Sequence, residues 1–331
     1  MKALVTGGGG FLGSAIVRQL RARGDQVVSY SRGSYPELAG LGVEQRRGDL
    51  TDAAALSEAA AGCEVVFHVA AKAGVWGSFE EYRQANVAGT ENVIVVCRAL
   101  GIARLVYTGS PSVVFDGSDV EGGDESLPYP LHFEAHYPHT KAMAEQAVLA
   151  ANSPTLATVS LRPHLIWGPG DNHLAPRIVA KARSGRLRRI GQRPCLVDTV
   201  YVDNAAEAHL NAADRLLPDS APAGKAYFIS NGEPLPLWEM VNRILAAAGL
   251  PEEQRSVSPA LAYAAGVACE RVWGLLHLSG EPPMTRFVAR ELATAHWFDI
   301  SAAKRDLGYQ PRVSVEEGLK RLQQWFEGGA R

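Results

Sequence analysis

The run Gly7-Gly-Gly-Gly10-Phe-Leu-Gly13, set between an apolar tetrad and a helix-forming segment, constrains this chain more than any other stretch. Residues 3–6 suit a buried strand and are too few for a helix, whereas 14–23 have helical character. A strand that turns through glycines straight into a helix begins a βαβ unit. Two registers fit the glycines: G-x-G-x-x-G from Gly8, or G-x-x-G-x-x-G from Gly7. Mechanically, Gly7 allows the tight turn, Gly10 lets the backbone approach a pyrophosphate, and Gly13 lets helix and strand pack closely. A phosphate placed there meets free N–H groups at the amino end of the helix. The plainer reading, a flexible turn without a ligand, loses ground because a strand precedes the glycines and a helix follows.

The alternation then repeats. Gly24-Asp25 closes the helix, 26–31 read as a second strand, 43–46 as a third, and 53–60 as a helix. A strand at 64–69, a long helix at about 80–100 and a strand at 104–108 follow. This pattern implies an α/β fold, a Rossmann-type, doubly wound parallel sheet with helices on both faces. Such sheets bind ligands at the carboxyl ends of their strands, where Gly7, Ser31, Asp49, Ala70 and Ser110 all fall. At the end of the second strand, NAD-binding chains usually carry an acid for the ribose 2′-OH. Ser31-Arg32 stands there instead, a hydroxyl and a guanidinium suited to the 2′-phosphate that a carboxylate would repel. The expected cofactor is therefore NADP(H), against the plainer reading of Arg32 as a solvated surface residue. Asp49, after the third strand, is placed to contact the adenine.

Tyr137 and Lys141 lie four apart at the head of the helix-forming run 142–151, so their side chains share a face. A free phenol, with a pKa of about 10, is a poor acid or base at neutral pH. A fixed ammonium nearby favours the phenolate and brings that value down. Such a pair can protonate a ketone oxygen or deprotonate an alcohol, although many helices carry the spacing by chance. Ser110 or Ser112, at the end of the fifth strand, can hydrogen-bond a substrate carbonyl and stabilise its developing charge. Capping its own loop is the commoner fate of a serine.

In this order the pieces resemble the extended short-chain dehydrogenase/reductase superfamily over nearly the whole chain. TGGGGFLG at 6–13 looks like its cofactor loop, and HVAA at 68–71 like its fourth-strand motif. NVAGT at 86–90, the Ser110 loop, the Tyr137/Lys141 pair and LRPHLIWGPGD at 161–171 follow as expected. YPHTKAMAEQAVLAAN at 137–152 and YVDNAAEAH at 201–209 are similar to the subgroup that contains the 3β-hydroxysteroid dehydrogenases. The resemblance implies Tyr137 as acid/base, Lys141 as its pKa modifier and ribose ligand, and Ser110 as oxyanion donor. Asn86 would shape the helix beside them. It also implies cofactor contacts from Phe11, Leu12, Leu50, Ala70, Ala71, Lys72 and Thr108, with Pro163 bordering the nicotinamide. Gly109 departs from the pattern, since relatives often carry a serine there, and this leaves Ser110 and Ser112 both open. Segments 72–87, 157–174, 224–236 and 281–288 are similar to bacterial ketoreductases of long-chain 2-alkyl-3-oxo acids in hydrocarbon biosynthesis. A homodimer through the helices near 80–100 and 137–151 is implied as well, and a complex with other enzymes of that route is compatible with it.

After Asp171 the alternation breaks down. Helices are expected at 174–183, 203–216, 237–248, 260–278 and 314–326, with short strands near 187–190 and 195–197. The division expected is a cofactor domain at 1–171 and a smaller, mainly helical substrate lobe at 172–331, with segments near 196–230 returning to the main domain. Residues 260–278 are apolar on most faces and read as lobe core, as the lid of an apolar tunnel, or as a surface helix on a membrane or partner. Trp76, Phe115 and Trp167 are candidates to line an apolar pocket. Arg162 and the histidines (His132, His136, His139, His164) are candidates for a substrate carboxylate, and the spread of the histidines suggests no metal. With a formal charge of −2, nothing points to nucleic acid. Four scattered cysteines form no CxxC pair, and no apolar run reaches membrane length. Met1-Lys2 running straight into a strand sets the expectation of a cytoplasmic protein. The reaction expected is reduction of a ketone in a long-chain apolar substrate. A sterol dehydrogenase is the nearest alternative; a nucleotide-sugar epimerase or a non-catalytic NADP(H) sensor ranks behind.

Overall fold

Seven parallel strands form the centre of the computed structural model, which describes residues 1–329. In spatial order they are Lys225–Ile229, Ala157–Pro163, Arg104–Thr108, Val65–His68, Lys2–Thr6, Gln26–Ser31 and Glu44–Arg47. Lys2–Thr6 pairs with Gln26–Ser31 on one side and Val65–His68 on the other, so the chain order reverses there. A ligand cleft opens outside the strand ends at such a reversal. Strands covered on both faces must be apolar on both, and Val65–His68 and Ala157–Pro163 are buried along their whole length.

Helices Phe11–Ala22 and Val202–Arg215 pack together, and Ile16 and Leu20 join Phe67, Val106 and Tyr227 in one core. A second core lies under Ala53–Ala60, Gly89–Ala99 and His136–Ala150, where Leu56, Val93, Cys97, Leu105 and Val148 meet. Lys225–Ile229, from beyond residue 171, becomes the edge of the main sheet beside Ala157–Pro163. Two differences from expectation bear on the site. The first helix begins at Phe11 rather than three residues later, so its free amino end reaches the glycine turn. The expected helix at 80–100 is three pieces, Phe79–Tyr82, a π-helical turn Arg83–Ala88, and Gly89–Ala99.

A smaller core gathers Leu187, Trp238, Val241, Leu245 and Ala289. Near it lies a four-stranded sheet of Leu235–Pro236, Leu196–Val197, His296–Phe298 and Val120–Gly123. The last of these comes from the first half of the chain and runs parallel to His296–Phe298. Helix Pro259–Leu276 buries only Ala262 and Gly266, which rules out the core reading. No described helix is long and apolar enough to cross a membrane.

Candidate active site

A cleft of about 870 Å³ opens at the carboxyl ends of the central strands. The glycine turn forms its floor. Gly7 adopts φ +69°, and a Cβ there would stand 3.0 Å from the Ala70 Cα. At Gly13 a Cβ would fall 2.1 Å from the Gly7 carbonyl oxygen, so helix and turn touch backbone to backbone. Gly10 caps the helix, donates its N–H to the Gly7 carbonyl at 2.8 Å, and lines the cleft. The spacing used is thus Gly7, Gly10 and Gly13. Helix Phe11–Ala22 has no side-chain cap and no acid in its first turn, which leaves amide N–H groups for an anion.

Phe11, Leu12, Ser31, Arg32, Asp49, Leu50, Ala70, Ala71, Lys72, Thr108 and Pro163 all line the same cleft. The Ser31 hydroxyl is buried without a hydrogen-bond partner, and Arg32 follows on the exposed rim. An orphaned hydroxyl beside a guanidinium fits a bound phosphate, since burial without a partner is otherwise costly. Asp49 accepts from the Thr51 amide at 3.0 Å and hydroxyl at 2.7 Å, and these bonds hold its carboxyl below the usual range. A buried network stands behind the floor. His68 Nδ1 lies 2.8 Å from Thr6 Oγ1 and Nε2 lies 2.9 Å from Thr90 Oγ1, and burial pushes its pKa down to about 3. That imidazole is neutral, and it fixes the fourth strand against the first turn of helix Gly89–Ala99.

Ser110, Tyr137 and Lys141 meet at the other end of the cleft. Asn86, on the π-helical turn, accepts from the Lys72 amide at 2.7 Å and donates to Thr140 Oγ1 at 3.1 Å. It thereby ties the cleft rim to the helix His136–Ala150 that carries the tyrosine. Burial raises the Tyr137 phenol above its ordinary value, a hydrogen bond with Ser110 pulls it down, and the charge of Glu291 adds to the rise. Lys141 is pushed down to about 7 by burial, with Glu145 opposing. Its ammonium donates to the Thr108 carbonyl at 2.6 Å and stands 4.1 Å from the centre of the Tyr107 ring. The phenol is therefore raised here, not lowered by Lys141 as expected, because desolvation outweighs the neighbouring polar groups. Ser110 Oγ and Ser112 Oγ lie 2.8 Å apart, and only Ser110 lines the cleft.

Other expectations are corrected. Arg162 is no carboxylate ligand: its Nη2 donates to Glu145 Oε1 at 2.6 Å in the interior. That pair also explains Gly109, where a Cβ would stand 2.7 Å from both Glu145 Oε2 and Ser160 Oγ. Trp167 is wholly buried core, donating to Thr199 Oγ1 at 2.9 Å, and lines no pocket. His164 sits in a buried chain, 2.6 Å from Asp198 Oδ1 and 3.1 Å from His296 Nδ1. His139 stacks on Phe133, and no group of three metal-binding side chains occurs among the described residues. Tyr35, Leu165, Asp171 and His173 also line the cleft and went unread. Glu291, outside the cleft lining but close enough for its charge to act on Tyr137, was also missed; burial pushes its carboxyl up to about 7. Leu165 carried a faint signal, since it sits within the segment 161–171, and its φ of +43° is unusual for a residue other than glycine.

Fold and site together define an extended short-chain dehydrogenase/reductase. Residues 4–260 match the 3-beta hydroxysteroid dehydrogenase/isomerase family, and the chain belongs to it. The 2-alkyl-3-oxoalkanoate reductase of Stenotrophomonas maltophilia is 57% identical over 324 residues, covering 97% of this chain and 98% of that protein. The protein of the same name from Shewanella oneidensis is 51% identical over 328 residues, covering 97% and 85%. Among solved structures, the Thermus thermophilus UDP-glucose 4-epimerase complex with NAD matches with a TM-score of 0.76 at 25% identity, covering 100% of each chain.

Proposed function

We propose that this chain is an NADP(H)-dependent reductase that converts the 3-ketone of a long-chain 2-alkyl-3-oxoalkanoate to the 3-alcohol, in a route to olefinic hydrocarbons. One observation carries the reading. Tyr137, Ser110 and Lys141 converge beside Pro163 in one cleft, in a chain 57% identical to a protein with that activity in its name. The orphaned Ser31 hydroxyl and Arg32 support the phosphorylated dinucleotide. When bound, the reduced nicotinamide supplies hydride to the carbonyl carbon. Tyr137 gives its proton to the ketone oxygen, and its raised pKa keeps the phenol protonated and ready as an acid. Ser110 donates to the same oxygen and steadies the charge that develops there. Lys141, near neutral in pKa, grips the ribose and returns a proton to the phenolate.

A cytoplasmic setting and a homodimer through the helices near 80–100 and 137–151 belong to this reading. We also take residues 1–171 with the returning segment near 196–230 as the cofactor domain and the rest as the substrate lobe; the Lys225–Ile229 edge strand supports the return. A 3β-hydroxysteroid is the second reading, favoured by the family itself. Both are tested by following NADPH and NADH oxidation with a 2-alkyl-3-oxoalkanoate and with a 3-oxosteroid, beside Tyr137→Phe. Turnover of the oxo acid with NADPH, reduced roughly 10²–10⁴-fold in the variant, is expected. Turnover of the steroid alone would keep the mechanism and discard the substrate.

A further inference from the structure

The helix Pro259–Leu276 carries a second apolar face that nothing among the described residues covers. Leu261, Ala264, Ala265, Ala268, Val272, Leu275 and Leu276 recur at helical spacing, and every one of them faces solvent. Leu275 is 79% exposed, Leu276 65% and Leu261 60%, and Leu278 continues the stripe past the helix end. The inward face is apolar as well: Ala262 and Gly266, the latter set against the Thr285 backbone, are buried, Tyr263, Val267 and Trp273 are half-buried, and Glu270 bonds to Arg286 at 2.6 Å. An ordinary surface helix is apolar inward only and polar or charged outward.

A basic rim borders the stripe. From Asn172 to Gly191 the chain carries Arg177, Lys181, Arg183, Arg186, Arg188 and Arg189 and no acid. This stretch flanks the helix at its two ends: Arg189–Ile190 pairs with Ser256–Val257 just before it, a Cβ at Gly191 would lie 3.4 Å from Pro259, and Lys181 Nζ donates to the Pro283 carbonyl at 3.5 Å beyond it. Lys181, Arg183 and Arg186 are exposed, as is Arg271 on the helix itself. Most nearby carboxylates are already engaged, Glu253 by Arg255 at 2.6 Å, Glu270 by Arg286 at 2.6 Å and Glu281 by Arg177 at 3.0 Å, and Glu252 is the exposed exception. Two copies meeting through this face would bring like charges together, whereas lipid headgroups of opposite sign would neutralise them.

We propose that this face docks on an anionic lipid bilayer, with the leucine stripe set among the acyl chains and the arginines among the headgroups. Its place in the fold gives the docking a use. The stripe runs directly into the segment holding Glu281, which accepts from the Val75 amide at 3.2 Å. Val75 follows Lys72 and Ala73, which line the cleft, so the docked face lies beside the cleft rim. A long-chain oxo acid partitions into bilayers, and docking there brings the cleft to it; this last step rests on the reductase reading, while the docking does not.

The test is flotation of the full chain with vesicles of phosphatidylcholine plus phosphatidylglycerol and with vesicles of phosphatidylcholine alone, without substrate. Binding to the anionic vesicles only is expected, weakened by salt and by Arg183→Glu with Arg186→Glu. Leu275→Glu with Leu276→Glu should lower the partition roughly a hundredfold or more, with an unchanged thermal midpoint showing an intact fold. Monodisperse protein that floats with neither vesicle would overturn the proposal. So would lipid binding that the leucine variant leaves untouched, or a concentration-dependent dimer in sedimentation velocity that this variant dissolves. Since no arm reads turnover, failure here and failure of the reductase reading are separate results.

Discussion

Two buried charges lie one turn apart on helix His136–Ala150, and the chain treats them in opposite ways. Glu145 is enclosed by donors: Arg162 Nε at 3.1 Å from both oxygens, Arg162 Nη2 at 2.6 Å, Ser160 Oγ at 2.7 Å and the Tyr129 hydroxyl at 2.8 Å. Lys141, four residues earlier, has no carboxylate within ion-pair distance among the described residues, and contacts the Thr108 carbonyl and the face of Tyr107. A buried carboxylate with a full set of donors is at rest. A buried ammonium without a counter-charge is held near its titration point, and it is the one that borders the cleft. Burial and charge alone therefore do not mark a functional group; incomplete compensation beside an opening does.

The comparison breaks most readily at Glu145. Glu145→Ala leaves the Arg162 guanidinium uncompensated in the interior, where its Nη1 already lacks a partner. The expected cost is about 3–5 kcal/mol of stability, read from denaturant unfolding, with the turnover of the folded fraction nearly unchanged. Lost activity at retained stability would move the pair into the site. Lys141→Met is the counterpart. In the folded chain Lys141 titrates near about 7, against 10.5 for its ordinary value. The unfolded state therefore binds more protons between these values, and stability rises with pH across that window. Below it the folded protein bears the full burden of the desolvated ammonium. Lys141→Met should thus be more stable than the parent at pH 6, on the order of 1–3 kcal/mol, with the gap closing towards pH 10. A gap independent of pH in melting curves would show that the ammonium is not desolvated.

The cofactor half was legible because its constraints are local. A strand, a glycine turn and a helix follow one another in sequence, and Tyr137 and Lys141 share a face by spacing alone. Features set by distant partners left no such trace. Nothing near Val120–Gly123 announces a strand whose partner is His296–Phe298. Arg162 carried the right charge for a substrate carboxylate, and only the folded chain shows Glu145 already holding it. Residues 259–276 misled by the opposite route. Apolar periodicity normally means burial, and here one apolar face packs while a second faces out, which no count of hydrophobic residues can distinguish.

The smallest predicted effect sharpens the comparison within the cleft itself. Ser110 and Ser112 bond to each other, with the Ser112 amide also donating to Ser110 Oγ at 3.3 Å, yet only Ser110 borders the cleft and touches the phenol. If that exposure decides the role, Ser110→Ala removes the donor to the developing oxyanion and should cost about 10²-fold or more in kcat. Ser112→Ala removes a neighbour that only orients that hydroxyl, a contribution of about 0.5–1.5 kcal/mol, so kcat should fall less than about tenfold with KM unmoved. Single-turnover rates with the two variants side by side decide the matter. The reverse order would place Ser112 on the substrate oxygen and require the loop after Thr108 to rotate before hydride transfer.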